Sequence, residues 1–242
     1  MSVPDTAQAF WVTRPGHGAI QSEPLPAMGQ NDVRVRALYS GVSRGTESLV
    51  FHGRVPSSET QRMRAPFQVG EFPGPVKYGY CSVGRVTHGP QALVDQTVFC
   101  LHPHQDRYIV PATMVVPVPA DVPAYRAVLA ANMETAINGV WDANPMLGER
   151  VCVVGGGVVG ALVAYLCARI AGVQVQLIDI NGEREALADA LGVPFALPEQ
   201  APADQDCVIH ASGHPEGLRL AMSLVGQLPA KLQPRWNYQR RL

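Results

Sequence analysis

Residues Val153–Gly160 read VVGGGVVG, the end of an apolar strand followed by a glycine-rich turn and the start of an apolar helix. Gly155, Gly157 and Gly160 fit the spacing G-x-G-x-x-G. In this spacing the first glycine permits a tight turn, the second lets the backbone approach a pyrophosphate, and the third lets helix and strand pack closely. The helix N-terminus adds unpaired N–H groups and the positive end of the helix dipole. The stretch therefore predicts a dinucleotide-binding loop.

The residues after the loop support this prediction. A second apolar strand ends at Asp179, nineteen residues after Gly160. An acid there accepts hydrogen bonds from the adenosine ribose and repels a 2′-phosphate, which favours NAD over NADP. Arg184 either lies at the adenine or 2′-phosphate, which keeps NADP open, or is a solvated helix residue. The alternative for the whole pattern is a turn that binds nothing, with Asp179 as a helix N-cap.

Strand and helix patterns alternate from Val151 onward, which predicts a parallel sheet with helices on both faces. We expect a partial dinucleotide-binding Rossmann domain over residues 148–227, with about four of the six strands of a complete domain. Ser212 and Gly213 follow a strand candidate, DCVIHA, and precede a helix with Pro215 in its first turn. His214 is expected either near the cofactor or as the cap of that helix.

The first 120 residues have the pattern of antiparallel strands. Val33, Val35 and Ala37 alternate with charged residues, and prolines and glycines are dense. A loop-rich barrel or sandwich follows from this composition. Residues 122–143 have helical spacing and predict two linking helices. The fold class is therefore α/β with an all-β N-terminal part, and the first domain is expected over residues 1–147.

Composition limits the functional class. The 242 residues are 47% hydrophobic and 16% charged, a composition that allows a sizeable core. The net charge of -1 gives no overall electrostatic attraction to nucleic acid or to a membrane surface. The five cysteines form no CxxC pair, which favours a reducing compartment. The N-terminus lacks the pattern of a secretory signal, and we expect a cytoplasmic protein. An uncharged stretch, residues 151–168, is better explained by a strand, a turn and a buried helix than by a membrane span.

Residues 228–242 differ from the rest. They contain Lys231, Arg235, Arg240 and Arg241, no acid, and no strand or helix periodicity. Two interpretations stay open: a basic arm that docks a partner, and a non-native tail from a frame-shifted or truncated reading frame.

Several stretches together resemble the medium-chain dehydrogenase/reductase superfamily, over about residues 5–226. They are SGVSRGTESLVFHG, KYGYCSVGRV, YIVPATMVVPVP, ETAINGVWDA and the run that begins at VCVVGGGVVG. The resemblance implies a GroES-like β-barrel domain before the Rossmann domain, and hydride transfer between NAD(P) and an alcohol or ketone. The expected missing strands carry most nicotinamide contacts of the family, so a truncated reading frame would impair this transfer. The resemblance also implies a homo-oligomer, although the strands that often form the subunit interface in the family are the ones expected to be missing here. SGVSRGTE, HGRVP and GYCSVGRV are locally similar to the branch that contains bacteriochlorophyllide a dehydrogenase, which makes a bulky secondary alcohol a candidate substrate.

The resemblance breaks at the zinc ligands. Zinc-dependent members have Gly-x-Cys-x-x-Asp where this chain has Ser43 at the cysteine position, and Gly-His-Glu where it has Gly79-Tyr80-Cys81. Serine and tyrosine are poor zinc ligands at neutral pH, so no zinc is expected. Tyr80 is then the candidate phenol donor, and Thr46 with Ser43 a candidate hydroxyl relay. Their alternatives are a packed strand tyrosine and a simple turn of the chain.

The predicted site therefore has two parts. The resemblance adds Arg44 as a pyrophosphate contact and Thr135 as a residue of the cofactor cleft. The predicted cofactor-binding residues are Gly155, Gly157, Val158, Val159, Gly160, Asp179, Arg184, Thr135, Arg44, Ser212 and Gly213, and the predicted catalytic residues are Tyr80, Thr46 and Ser43.

Cys100, His102 and His104 could suggest a metal site, but we favour a cleft or surface histidine pair. Two other functions stay open: a non-catalytic dinucleotide-binding or scaffold protein, and a zinc-free NADPH-dependent enzyme similar to quinone reductases.

Overall fold

The computed structural model describes residues 5–226 and 230–233. The chain divides into an N-terminal unit, Met1–Ala131, and a C-terminal unit, Asn132–Leu242. The sequence-based boundary at 147/148 places the whole linking helix in the first domain, and it stays a prediction. Each unit has its own hydrophobic core.

The N-terminal unit is built from two antiparallel sheets. Its strands are β1 (Thr6–Arg14), β2 (His17–Pro24), β3 (Asp32–Ser40), β4 (Val69–Gly70), β5 (Val76–Lys77), β6 (Ser82–His88), β7 (Thr97–Cys100), β8 (Arg107–Pro111) and β9 (Val115–Pro117). The sheet orders are β2-β1-β5-β4 and β8-β3-β6-β7-β9. Val33 and Val35 of β3 are fully buried, as their alternation predicts, and they share a core with Val86, Val98 and Val110.

Two helices belong to this unit, α1 (Arg44–Phe51) and α2 (Ala124–Ala127). The sequence predicts only a turn at the start of α1, because its single buried residue, Val50, gives little helical periodicity. The structure corrects this: the Ser43 carbonyl accepts the Glu47 N–H at 2.9 Å, so Ser43 lies at the N-terminus of a helix.

The C-terminal unit is a parallel sheet with helices. Its elements are α3 (Ala130–Ala143, which begins before the division), β10 (Arg150–Val154), α4 (Val158–Cys167), β11 (Gln174–Ile178), α5 (Arg184–Leu191), β12 (Phe195–Ala196), β13 (Cys207–His210), α6 (Pro215–Leu224) and β14 (Lys231–Gln233). Both faces of β10 are covered: Val151 and Val153 belong to one core cluster, Cys152 and Val154 to another. This explains why the strand is a continuous apolar run.

The strand order is β12-β11-β10-β13-β14, with all pairs parallel. In order of appearance this is 3-2-1-4-5, the order of the first five strands of the dinucleotide-binding fold. The order reverses beside β10, and ligands of such sheets bind outside the carboxyl ends of the strands at this place. VVGGGVVG lies there.

The fifth strand corrects two expectations. The sequence predicts about four strands and a patternless tail, but Lys231–Gln233 pair with Cys207–Ile209 of β13. Lys231 donates to the Glu149 carboxylate at 2.9 Å and to the Asn144 carbonyl at 2.8 Å. Lys231 is therefore part of the folded unit and does not belong to a docking arm. Arg235, Arg240 and Arg241 lie outside the described residues.

All five cysteines are buried and unbonded. Within residues 5–226 and 230–233, no helix is long and apolar enough to cross a membrane. Residues 151–168 form most of β10, the glycine turn and α4, as the sequence predicts.

Candidate functional site

The first glycine of the loop turns the chain out of β10. Gly155 has a φ of +113°, which L-residues with a side chain rarely adopt. A Cβ atom on Gly155 would lie 2.5 Å from the Ser212 nitrogen. The loop and the segment after β13 therefore meet backbone to backbone, with Ser212 beside Gly155; the predicted contact of Ser212 with a cofactor stays a prediction.

The third glycine lets α4 approach the loop. A Cβ atom on Gly160 would lie 1.8 Å from the Gly155 carbonyl oxygen. No side chain fits in that space, so this glycine is required by packing. The structure thus supports the physical role that the spacing assigns to it.

Among residues 5–226 and 230–233, nothing lies close to the Cβ side of the second glycine. Gly157 is the N-cap of α4, and nothing lies within 4 Å of the position that a Cβ would occupy. No side chain caps the helix, and Val158, its first residue, is half exposed. The backbone N–H groups of Val158 and Val159 thus belong to the helix turn with the positive dipole end. This open cradle fits a pyrophosphate.

Asp179 follows β11, and its carboxylate hydrogen-bonds to the glycine loop. Its Oδ2 accepts the Gly156 N–H at 2.5 Å, and its Oδ1 accepts the Asn181 N–H at 2.8 Å. A Cβ on Gly156 would lie 3.4 Å from the Arg184 Cβ, so Arg184 is the next neighbour of the same corner. Arg184 begins α5 and is half-buried. The structure thus brings the predicted acid and arginine together at the loop.

The segment after β13 contains a hydroxyl between two histidines. The Ser212 hydroxyl lies 2.7 Å from His210 Nε2 and accepts the His214 N–H at 3.2 Å. His214 caps α6, because its Nδ1 accepts the Glu216 N–H at 3.3 Å. Of the two roles considered for His214, the structure supports the helix cap. Gly213 turns the chain with a φ of +68°.

Thr135 is buried on α3, next to Ala136, which packs in the core with Val151 and Val153. Its predicted place in the cofactor cleft stays a prediction. Arg44, at the exposed start of α1, belongs to the N-terminal unit, and its pyrophosphate contact stays a prediction as well.

The predicted catalytic residues all belong to the N-terminal unit. Ser43 precedes α1 and Thr46 lies in its first turn, both half-buried. Tyr80 is half-buried and packs edge-on against Tyr78, with ring centroids 6.0 Å apart. Tyr80 borders the cluster that contains Val76. A packing role for the ring is thus visible, and the proton-donor role stays a prediction.

Three polar side chains of this unit form a hydrogen-bonded network that the sequence pattern does not predict. Ser40 Oγ lies 2.6 Å from His104 Nδ1, and His104 Nε2 lies 2.5 Å from Glu47 Oε2. Glu47 Oε1 accepts the Ser43 N–H at 2.7 Å. No local pattern could have found it, because His104 is 64 residues from Ser40 and 57 from Glu47.

Cys100, His102 and His104 have separate surroundings. Cys100 is buried in the valine core. His102 is 6% exposed and stacks on Tyr108, with ring centroids 3.9 Å apart. Burial, with a smaller effect of the Lys77 charge, lowers the His102 pKa from 6.5 to about 3. The expectation of a cleft or surface histidine is thus wrong for His102. Among the described residues, no three His, Cys, Asp or Glu side chains are grouped to hold a metal.

Comparison with known proteins gives relatives in sequence. The chain is 25% identical over 236 residues to L-threonine 3-dehydrogenase of Mesorhizobium japonicum, and 23% identical over 231 residues to that of Edwardsiella ictaluri. These alignments cover 87% and 86% of this chain and 67% of each relative. The chain thus spans about two thirds of the relatives' length. No protein-family model matches it.

Solved structures share the fold. A putative zinc-binding dehydrogenase of Sinorhizobium meliloti, bound to NADP, superposes with a TM-score of 0.76 at 16% identity, over 98% of this chain and 79% of that one. An Escherichia coli alcohol dehydrogenase complexed with NADH gives 0.74 at 18% identity, with the same coverage. The predicted architecture, a GroES-like unit followed by a Rossmann unit, is confirmed, and so is the resemblance on which it rested.

Proposed function

We propose that this chain, a relative of the medium-chain dehydrogenases/reductases in sequence and in fold, is an oxidoreductase. It transfers a hydride between a nicotinamide cofactor and a secondary alcohol or ketone, without catalytic zinc. The observation that carries the proposal is the open glycine cradle at the strand-order reversal, with Asp179 fastened to it.

The cradle fits a dinucleotide because its three glycines have separate roles. Gly155 and Gly160 are required by protein packing, whereas Gly157 faces open space. Gly182 is equally open, so openness alone does not indicate a ligand; Gly157 differs because it begins α4 within the G-x-G-x-x-G turn, where a pyrophosphate approaches the backbone. When bound, the nicotinamide cofactor supplies the hydride acceptor or donor. The chain supplies backbone donors for the phosphates and a carboxylate at the ribose end.

NAD is the proposed cofactor. Asp179 uses Oδ1 and Oδ2 for backbone N–H groups, and each carboxylate oxygen can accept more than one hydrogen bond. Ribose hydroxyls can therefore be bound as well, while a 2′-phosphate would meet a negative charge. Arg184, at the same corner, is the feature that favours NADP. Structural relatives bind either cofactor, so a direct comparison of NADH with NADPH decides this point.

Zinc independence is proposed from the residues at the two ligand positions. Ser43 and Tyr80 offer hydroxyl groups where zinc-dependent enzymes have a cysteine and a histidine, and hydroxyl groups are poor ligands for zinc. Cys81, beside Tyr80, is buried, and burial together with the Glu47 charge raises its pKa to about 12.

The experiment combines binding and turnover on the purified chain. Thermal unfolding is measured with NADH, NADPH or zinc, since a ligand of the folded state raises the melting temperature. Oxidation of three secondary alcohols by NAD⁺ is then followed by nicotinamide absorbance, each alcohol at several concentrations and with added zinc or chelator. The alcohols are L-threonine, named for the sequence relatives, and 2,3-butanediol and 1-phenylethanol, which correspond to the names of a butanediol dehydrogenase and an acetophenone reductase of similar fold. We expect a shift with NADH and turnover of at least one alcohol that chelator leaves unchanged.

Other outcomes identify the alternatives. NADH binding without turnover favours the non-catalytic dinucleotide-binding or scaffold protein. NADPH binding with reduction of a quinone favours the quinone-reductase-like enzyme. Turnover that requires added zinc would show that the interpretation of Ser43 and Tyr80 is wrong.

A further inference from the structure

The chain of Ser40, His104 and Glu47 has the composition of a proton relay. It runs from a hydroxyl through an imidazole to a carboxylate, with distances of 2.6 and 2.5 Å between the hydrogen-bonding atoms. Such short contacts suit proton transfer along the chain. Glu47 is held in turn by the Ser43 N–H at 2.7 Å. The relay is thus attached to a segment already predicted to carry the chemistry.

The carboxylate and imidazole of the relay are mostly buried, and its hydroxyl is exposed. The side chains of His104 and Glu47 are 15% and 13% exposed, whereas Ser40 ends β3 and is exposed. Low local dielectric strengthens the imidazole–carboxylate interaction. The exposed hydroxyl is the member that a small molecule or water can reach.

The His104 ring lies against the backbone of Gly79, which precedes Tyr80. Gly79 has a φ of +134°, and a Cβ there would lie 3.1 Å from His104 Nε2. The His104 N–H also lies 3.4 Å from the Tyr78 carbonyl oxygen. His104 is therefore the residue that connects the α1 segment with the segment before Tyr80.

The hydrogen bonds argue against a metal ligand. Nδ1 of His104 faces Ser40 and Nε2 faces Glu47, so both ring nitrogens are engaged. A metal at either nitrogen would have to displace one of these partners. The Glu47 charge also acts on the Cys81 thiol, whose pKa is raised to about 12, mainly by burial, so this thiol stays protonated at neutral pH. A relay that moves protons is thus the chemistry that the arrangement can perform.

We propose that Ser40, His104 and Glu47 relay the proton of the alcohol group, which rests on the proposed hydride transfer. In alcohol oxidation a bound oxidised nicotinamide would accept the C–H hydride. The O–H proton goes to Ser40 Oγ as the Ser40 proton passes to His104 Nδ1. Glu47 stabilises the resulting imidazolium, which then loses one proton to water. Ketone reduction runs the same steps backwards. His104 and Glu47 are positioning residues, since they act through Ser40.

The test uses His104→Gln, which keeps a hydrogen-bonding side chain but cannot take up a proton. With the alcohol that the wild type oxidises fastest, we expect kcat to fall about 100-fold, the magnitude of general acid–base catalysis. KM and NADH affinity should stay within about threefold. Added imidazole should restore part of kcat, which a purely structural role would not allow. The matched control is His88→Gln, an exposed histidine at the end of β6.

Ser40→Ala is the second variant, because an exposed side chain contributes little to folding. It should lower kcat and reduce the solvent isotope effect on kcat. Wild-type turnover with unchanged kcat in both variants would overturn the relay and leave the proposed function intact. If wild type oxidises none of the alcohols, the proposed function fails and the relay fails with it. If His104→Gln does not fold, Ser40→Ala alone decides between these results.

Discussion

The carboxylate of Asp179 holds the backbone of Gly156, with 2.5 Å between Oδ2 and the amide nitrogen. Asp179, which follows β11, therefore links β11 to the glycine turn that follows β10. A charged acceptor on a backbone N–H makes a strong hydrogen bond. The loop is thus shaped before any ligand binds, which reduces the ordering cost of binding.

Gly157→Ala should separate ligand binding from folding. The added methyl group meets no protein atom within 4 Å, so the free energy of unfolding should change by less than about 1 kcal/mol. The methyl group would occupy the space that the pyrophosphate needs, and NADH affinity should fall at least about tenfold, or about 1.4 kcal/mol. Urea unfolding and NADH fluorescence titration measure the two effects. Gly182→Ala, also open on its Cβ side, is the control; unchanged affinity in Gly157→Ala would contradict the cradle.

Gly160→Ala should act on folding instead. Its Cβ would lie 1.8 Å from the Gly155 carbonyl oxygen, so α4 or the loop must move. Overpacking of this kind costs about 1–3 kcal/mol, and more where backbone is the obstacle. Urea unfolding without ligand should show the loss. A variant as stable as wild type would mean that α4 is not held against the loop as described.

Asp179→Ser should shift cofactor preference. The substitution removes the negative charge that repels a 2′-phosphate and leaves Arg184 at the same corner. We expect the ratio of NADPH to NADH affinity to rise at least about tenfold. Titrations with both cofactors measure it. Asp189→Ser, an exposed acid on α5, changes the net charge equally and serves as control. An equal shift in both variants would show that the effect is general electrostatics.

The buried imidazole of His102 should make folding sensitive to acid. Its pKa is lowered from 6.5 to about 3, mainly by burial, so between these values the unfolded chain binds a proton that the folded chain does not. Stability attributable to His102 therefore falls by about 1.4 kcal/mol for each pH unit below 6.5. His102→Phe keeps a ring against Tyr108 and removes the titration. Urea unfolding from pH 7 to 4.5 should give a flatter profile for this variant; parallel profiles would refute the assignment.

Several features could be predicted because they depend on neighbours in sequence. The alternation of β3, the glycine spacing and the acid after β11 each reflect a local backbone requirement. The short strand β14 could not be predicted, since Lys231–Gln233 has no apolar alternation. It is a strand because β13 offers hydrogen bonds and because Glu149 binds Lys231.

The sequence by itself determined the two-part architecture and the cofactor loop, because glycine spacing and apolar periodicity are set by backbone sterics within a few residues. Only the tertiary structure decided which polar side chains meet. Ser40, Glu47 and His104 come from the end of β3, from α1 and from the loop after β7. Their separation by 57 and 64 residues leaves no periodic trace, and the sheet that joins these segments brings the hydroxyl, imidazole and carboxylate into hydrogen-bonding distance.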